Sequence, residues 1–491
     1  MSAAARILEW PADTQDELAL ALWTAKTIAA ATGGKASADF QVSGVEIDSR
    51  DVVPGDLFFA LKGESMDGHR FVEAAFAKGA AAAVVDRPIV GPHVLVEDTS
   101  SALEFLARAA RDRTRARVIG VTGSVGKTGV KEALFAALER SSRGWAHRSV
   151  KSYNNHVGVP LSLARMPSRS KFGVFEMGMN HAGEIAALTV QVRPHVAVIT
   201  TIAPAHIENL GSEEAIADAK AEIFGGLEPG GIAVIPADSP HYSRLKEAAQ
   251  RRKVAVVSFG RAAHADVRLL DAVAAPGGGS LVTAELRGGP GGDRRLCYTI
   301  SAPGEHWVSN SLAVMAAVRA AGGDLGAAGL ALAEMEGLKG RGARFEIAAP
   351  DGGSALLIDE SYNANPASMR ATLAQLGATP ARKRIAVLGA MKELGPHGPA
   401  FHAQLSEPLA AARVDYVVLV GDEMQALADE LGKSGASALG TALPFAHCAT
   451  VDAALEALRA HGWGSGDAIL VKGSNSVGLG TLVAALTTQK D

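Results

Sequence analysis

The chain is short of cysteine, of aromatic residues and of any surplus of charge, and each shortage closes off a class of protein. Two cysteines in 491 residues, Cys297 and Cys448, stand far apart without a C-x-x-C, which argues against a disulfide framework or a zinc site. Both read as small buried hydrophobes. Aromatic residues make up 5% of the chain against 48% hydrophobic overall, so the interior has to be built from aliphatic side chains, many of them alanine. The 48 basic and 52 acidic residues nearly cancel, which gives no sign of a nucleic-acid or membrane surface. No segment is apolar for long enough to span a bilayer. The amino terminus, with Glu9, Asp13, Asp16 and Glu17, lacks the basic start and apolar core of a signal peptide. The expectation is a cytoplasmic α/β protein of two to four domains, without membrane insertion.

What is present is concentrated at Ala116 to Glu132, A-R-V-I-G-V-T-G-S-V-G-K-T-G-V-K-E. Val118, Ile119 and Val121 form a β-branched run, Gly123 to Gly126 a turn, and Val130, Leu134 and Leu138 recur at helical spacing. Strand, glycine loop and helix start make a site for a phosphate chain, because unpaired N–H groups and the helix dipole both favour anions. Lys127 adds a point charge and the Thr128 hydroxyl a magnesium ligand. Val121 stands where the strict G-x-x-x-x-G-K-[ST] pattern has its first glycine, and an ordinary glycine turn after a buried strand is the bland alternative.

Three domains follow from the order of elements. Residues 1–114 open with a helical stretch around Leu18 to Ala31. Short apolar runs at Leu57 to Leu61, Ala80 to Val85 and Val94 to Val96 then indicate a small α/β domain. Ser49, Arg50, Lys62, Gly63, Asp67, Gly68 and His69 sit at its strand ends or loops, where small-molecule sites tend to lie; Asp56 and Arg50 would equally serve as turn caps. The charged run R-D-R-T-R-A-R reads as a solvated connector. Residues 115–340 alternate strands and helices around a mostly parallel sheet, with Gly277 to Arg295 as a flexible excursion outside the core. After the glycine-rich passage Gly337 to Glu346, read as a hinge, residues 341–491 restart the pattern as a third, Rossmann-like α/β domain with a parallel sheet.

Glu176 ends the predicted strand after Phe175, on the same sheet edge as the phosphate loop, where it could hold magnesium or cap the following turn. His206 lies near that edge in T-I-A-P-A-H-I-E-N-L-G-S, open to metal or substrate contact and to a structural role. In the helix that Ser212 caps, Ile216, Lys220 and Ile223 share one face. The lysine either buries its amine, which favours the neutral form and allows a carbamate with carbon dioxide, or snorkels to the surface. In D-E-S-Y-N-A-N-P, Asp359 and Glu360 could reach sugar hydroxyls, while Asn363 and Asn365 suit a turn as readily as a ligand. L-G-A-M-K-E-L-G-P-H, from Leu388, occupies the same place one unit later.

T-G-S-V-G-K-T, S-Y-N-N-H-V-G-V-P-L-S-L from Ser152, F-E-M-G-M-N-H-A-G-E-I from Phe175 and H-I-E-N-L-G-S-E-E-A-I-A-D-A-K-A-E-I-F from His206 occur in the order in which the Mur ligase family carries them. Over nearly its whole length the chain resembles that family of ATP-dependent amide-bond formers in peptidoglycan precursor synthesis. S-Y-N-A-N-P-x-S-M, L-G-x-M-x-E-L-G and the opening D-S-R…P-G-D-L-F-F-A-L-K-G are most similar to the members that add D-alanyl-D-alanine to UDP-N-acetylmuramoyl-tripeptide.

The resemblance implies ATP on Thr122, Gly123, Ser124, Val125, Gly126, Lys127 and Thr128, with Asn310 at the adenine and Glu360 near the ribose. It implies one Mg2+ on Thr128 with the triphosphate and a second held by Glu176 and His206, with Lys220 as a carbamylated lysine, and Lys127, Glu176, His206 and Lys220 as the catalytic group. Ser49, Arg50 and Lys62 would contact the uridine nucleotide, and Asn154, Asn155, Tyr362, Asn363 and Asn365 the remaining substrate. A monomer is expected. Four positions depart from the pattern: Gly129 where threonine is common, Glu360 for aspartate, Ala390 for an acid and Asn475 for arginine. A sister ligase adding a single amino acid, or a phosphate-loop ATPase without ligation, are the rival readings.

Overall fold

A computed structural model describes residues 21–63, 66–204, 207–275, 279–289, 292–335, 337–433 and 443–488. They divide into two compact units, one reaching to Arg113 together with residues 163–168, the other comprising 114–162 and everything from Arg169 onward.

The first unit holds a five-stranded sheet in the order Lys35–Ala36, His93–Leu95, Ala82–Val85, Asp56–Phe59, Gly44–Glu46, parallel except for its first pair. Asp56–Phe59 is buried along its whole length, as a strand covered on both faces must be. The helix expected from Leu18 begins at Ala25. Thr24 accepts the Thr27 N–H in a capping box, and Trp23–Thr24 instead pairs with Gln41–Val42, while residues 18–20 lie outside the described set.

The charged run before the phosphate loop is a solvated connector only in part: Asp112, Arg115 and Arg117 are exposed, whereas Arg111 and Arg113 are drawn into the fold. Arg111 is buried in the helix Thr99–Asp112. The Arg113 guanidinium lies 3.4 Å from the Trp23 ring and donates to the carbonyls of Leu22 (2.7 Å) and Met166 (3.1 Å). Stacking on an indole and capping carbonyls is how a guanidinium is taken out of water while staying bonded. Burial still lowers its pKa to about 10.

In the second unit a nine-stranded sheet runs in the order Gly292–Ile300, Ser280–Gly289, Val267–Ala274, Ala255–Gly260, Ile232–Pro236, Val196–Ile199, Arg117–Thr122, Phe172–Glu176, Ala146–Arg148. It is parallel from Val267–Ala274 onward, and its first three strands pair antiparallel. The expected excursion at Gly277 to Arg295 is therefore corrected: most of it belongs to a hairpin of the sheet. Val282, Ala284 and Leu286 alternate inward to join the core beneath the helix Glu305–Ala321, while Leu281 faces outward at 44% exposure.

A separate six-stranded sheet has the order Ala343–Ala348, Ser354–Glu360, Ala468–Lys472, Arg384–Gly389, Tyr416–Val420, Phe445–Cys448, parallel except for the first strand. That first strand corrects the reading of Gly337 to Glu346 as hinge throughout, because from Ala343 the passage is paired to Ser354–Glu360.

Candidate functional site

Sheet register decides what meets at the phosphate loop. Glu176 is level with Val121, and Ile199 with Thr122, so Gly123–Gly126, Glu176–Gly178 and Thr200–Ile202 leave the same carboxyl edge. Two glycines are required there. A Cβ on Gly123 (φ +149°) would sit 1.9 Å from Thr200 Oγ1, and one on Gly126 (φ +87°) 2.8 Å from Asn310 Oδ1. Gly126 caps the helix Lys127–Ser142 without a side-chain bond, which leaves the first N–H groups for an anion. The loop is braced from behind: Thr200 Oγ1 donates to Val125 O at 2.5 Å and Ser124 Oγ to Ala203 O at 2.9 Å.

Lys127 Nζ donates to Gly123 O at 2.7 Å, and burial, opposed by Glu176 and reinforced by Arg341, lowers its pKa. The Thr128 hydroxyl donates to Glu176 Oε2 at 2.9 Å and the Asn154 amide to Oε1 at 2.7 Å, with Glu176 only 1% exposed. Lys131, which the sequence did not single out, is fully buried, 3.9 Å from that carboxylate and bonded to Lys151 O. Lys220 is 2% exposed in the helix Glu213–Ala221, capped by Ser212, so its amine does not snorkel to the surface. Burial, and next the Lys127 charge, holds its pKa well below the usual lysine range.

Lys127, Asn154, Glu176 and Lys220 open on a cavity of about 320 Å³ that also takes in His306, Trp307, Asn310, Arg341, Glu360, Tyr362, Asn363, Asn365 and Lys472. Lys127, Arg341 and Lys472 face Glu176 and Glu360 there, a cationic surplus suited to a polyphosphate. Glu360 has its pKa raised by burial, against the pull of Lys472 and Arg341. The Arg341 guanidinium lies 4.5 Å from the Tyr362 ring, and Lys472 donates to Asn363 O at 2.8 Å.

Of the two acids considered for sugar hydroxyls, Glu360 lines the cavity. Asp359 is turned away, accepting from Gly340 N, Ser361 N and Ser361 Oγ. Asn365 lines the cavity and also caps the helix Pro366–Ala378. Asn155 caps the turn at Gly158 and is not among the lining residues. His206 lies outside the described residues. In the first unit, Arg50 is 87% exposed in its side chain and forks onto Asp48, Lys62 pairs with Asp86 at 2.5 Å, and Asp56 accepts from Val53 N as a turn cap. Ser49 sits in the adjoining turn.

The Gly129 departure has a physical cause. A Cβ there would approach Trp307 Cη2 to 2.9 Å, so the indole occupies the space that a threonine side chain would need. His306, beside it, was passed over in the sequence although it lies four residues before Asn310. Burial, and next Lys472, lowers its pKa to about 4. The unfolded imidazole takes a proton near pH 6.5, so between pH 6.5 and 4 the unfolded state binds more protons and stability falls with falling pH. The urea-unfolding free energy of wild type minus that of His306→Gln is expected to drop by about 3 kcal/mol from pH 7 to pH 4. A pH-independent difference would contradict the neutral buried imidazole.

The Thr128 hydroxyl and Glu176 carboxylate are oxygen donors that fit a magnesium ion. Among the described residues no group of three or more His, Cys, Asp or Glu forms a metal site; His206 is not one of them.

Three family models match the chain: "Mur ligase family, catalytic domain" over residues 41–120, "Mur ligase middle domain" over 121–318 and "Mur ligase, glutamate ligase domain" over 343–475. The UDP-N-acetylmuramoyl-tripeptide--D-alanyl-D-alanine ligase of Escherichia coli is 36% identical over 451 residues, 91% of this chain and 94% of the relative. That of Synechocystis is 35% identical over 463 residues, 92% and 94% of the two chains. The crystal structure of MurF from Acinetobacter baumannii superposes with a TM-score of 0.78 at 32% identity, covering 95% of this chain and 99% of its own. MurF ligase from Thermotoga maritima, solved in complex with ADP, gives 0.72 at 27% identity over 91% and 98%.

Proposed function

The chain belongs to the Mur ligase family, and we propose from that membership and from the cleft how its reaction runs. It is an ATP-dependent ligase that joins D-alanyl-D-alanine to UDP-N-acetylmuramoyl-tripeptide in peptidoglycan synthesis. The observation that carries the residue assignment is the single cavity in which the phosphate loop, Glu176 and a surplus of lysine and arginine converge.

A carboxylate is a poor acyl donor. Its oxygen attacks the γ-phosphorus of ATP, giving an acyl phosphate and ADP; the dipeptide amine then adds to the carbonyl, and the tetrahedral intermediate expels phosphate. Both steps gather negative charge where substrate meets triphosphate. Lys127 and the N–H groups of the phosphate loop neutralise it without reorganising, and Lys472 and Arg341 face the same space. Asn154 and Thr128 fix the orientation of Glu176. Magnesium on Thr128 and Glu176, with a second site at Glu176 and His206, would offset the remaining charge. Lys220, as a carbamate, would present an anionic oxygen to that ion. By the family resemblance we assign Asn310 to the adenine, Glu360 to the ribose, and Ser49, Arg50 and Lys62 to the uridine nucleotide. Asn154, Asn155, Tyr362, Asn363 and Asn365 are assigned to the rest of the substrate.

No helix among the described residues is long and apolar enough to cross a membrane. We place the reaction in the cytoplasm and assign it to a monomer.

Phosphate release should require the UDP-muramoyl tripeptide and D-alanyl-D-alanine together. Free D-alanine and L-alanyl-L-alanine should be poor amines. Equal release with the dipeptide omitted would favour the ATPase reading, and efficient turnover with a single amino acid the sister ligase.

A further inference from the structure

A second cavity of about 310 Å³ adjoins the first, sharing Ser124, Asn363 and Asn365 with it. Its remaining described lining comes from the segment Lys392–Leu394, the loop Ser474–Ser476 and Ala364. The two segments are tied to each other: Lys392 N donates to Ser474 Oγ at 3.0 Å and Ser474 N to Ala390 O at 3.2 Å. His402, buried at 1% exposure, accepts Met391 N–H at 2.9 Å and donates to Gly398 O, which anchors the same segment from beneath. Glu393 is held at φ +62°, a left-handed conformation that residues other than glycine usually avoid. Such fixing of a loop against its preference suits a binding wall.

The lining is polar and small-featured, and its charges are Lys392 and Glu393. That pairing matches a small zwitterion better than a nucleotide or an apolar ligand. A dipeptide spans about 7 Å from amine to carboxylate. An amine placed at the shared wall, where it must meet the acyl phosphate, puts its carboxylate within the second cavity, where Lys392 is the one cationic side chain among the described lining residues.

We propose that Lys392 binds the carboxylate of the incoming dipeptide in this second cavity and so sets the preference for a free acid at that end. The proposal rests on the dipeptide being the amine substrate. In the structure Lys392 pairs with Glu423, both nearly half exposed, so exchanging that partner for a substrate carboxylate breaks only a solvated contact.

The test compares KM for D-alanyl-D-alanine with KM for its carboxy-terminal amide, which is neutral at that end. Wild type should favour the acid by on the order of tenfold, the size of a charge-assisted hydrogen bond. Lys392→Met should lose that preference through a higher KM for the acid, with KM for ATP unchanged. Lys392→Arg should keep it. Glu423→Gln separates binding from mere pairing: it should retain the preference, since Lys392 remains. An undiminished preference in Lys392→Met, or its equal loss in Glu423→Gln, overturns the proposal. Absence of any dipeptide-dependent phosphate release in wild type would overturn the underlying reaction as well, a distinct result.

Discussion

Lys127→Ala is expected to lower ligation by about 10²- to 10³-fold or more, the size of effect seen when one preorganised charge-stabilising donor is removed. The chain should fold as before. Lys127 contributes to the fold one hydrogen bond, to Gly123 O, and its burial lowers its pKa, so the fold gains little from a charged amine there. A bound triphosphate reverses that balance, since its charge favours the protonated form. Circular dichroism and phosphate release check both halves. Turnover near wild type with an unchanged spectrum would remove the loop from the mechanism.

Lys220 should act through a negative charge rather than a positive one. Lys220 is 2% exposed in the helix Glu213–Ala221, which ends before Ile223, and burial favours the neutral amine, the form that reacts with carbon dioxide. The amine nitrogen bonds to the carbon of carbon dioxide and loses a proton, giving a carbamate. Lys220→Ala should lower ligation by about a hundredfold or more, the upper range for groups that orient a metal's ligands. A short carboxylic acid added to the buffer should restore part of it by filling the vacated space. Lys220→Arg keeps the charge of an ordinary lysine and should not substitute. Normal ligation by the arginine variant, or a high-resolution map of the metal- and nucleotide-bound enzyme with a bare amine, would refute the carbamate.

The parts of the cleft that could be read from sequence were those set by local order. Strand, glycine turn and helix are consecutive, so Lys127 and Thr128 could be placed without knowing the sheet. Glu176 followed because it ends a strand that pairs directly with the one before the loop. Lys472 was not legible as a site residue. The strand Ala468–Lys472 is inserted between Ser354–Glu360 and Arg384–Gly389, far from it in the chain, and only that pairing carries the amine to Glu360. Arg341 was hidden by its glycine neighbours, whose composition suggests a hinge and says nothing of Tyr362. The hairpin from Ser280 to Ile300 was missed for a similar reason. Glycine runs flank it, yet V-T-A-E-L-R alternates as a half-buried strand should. Arg113 shows the converse error, since a charged run is solvated only when no indole or free carbonyl lies within reach.

The claim that carboxylate and triphosphate meet in the cleft to form an acyl phosphate is tested most directly by following oxygen. The acceptor tripeptide is prepared with ¹⁸O in its terminal carboxylate and turned over with ATP and D-alanyl-D-alanine, and the released phosphate is weighed by mass spectrometry. The account predicts one labelled oxygen in each phosphate and one retained in the new amide. Unlabelled phosphate from a reaction that still yields the pentapeptide would contradict it.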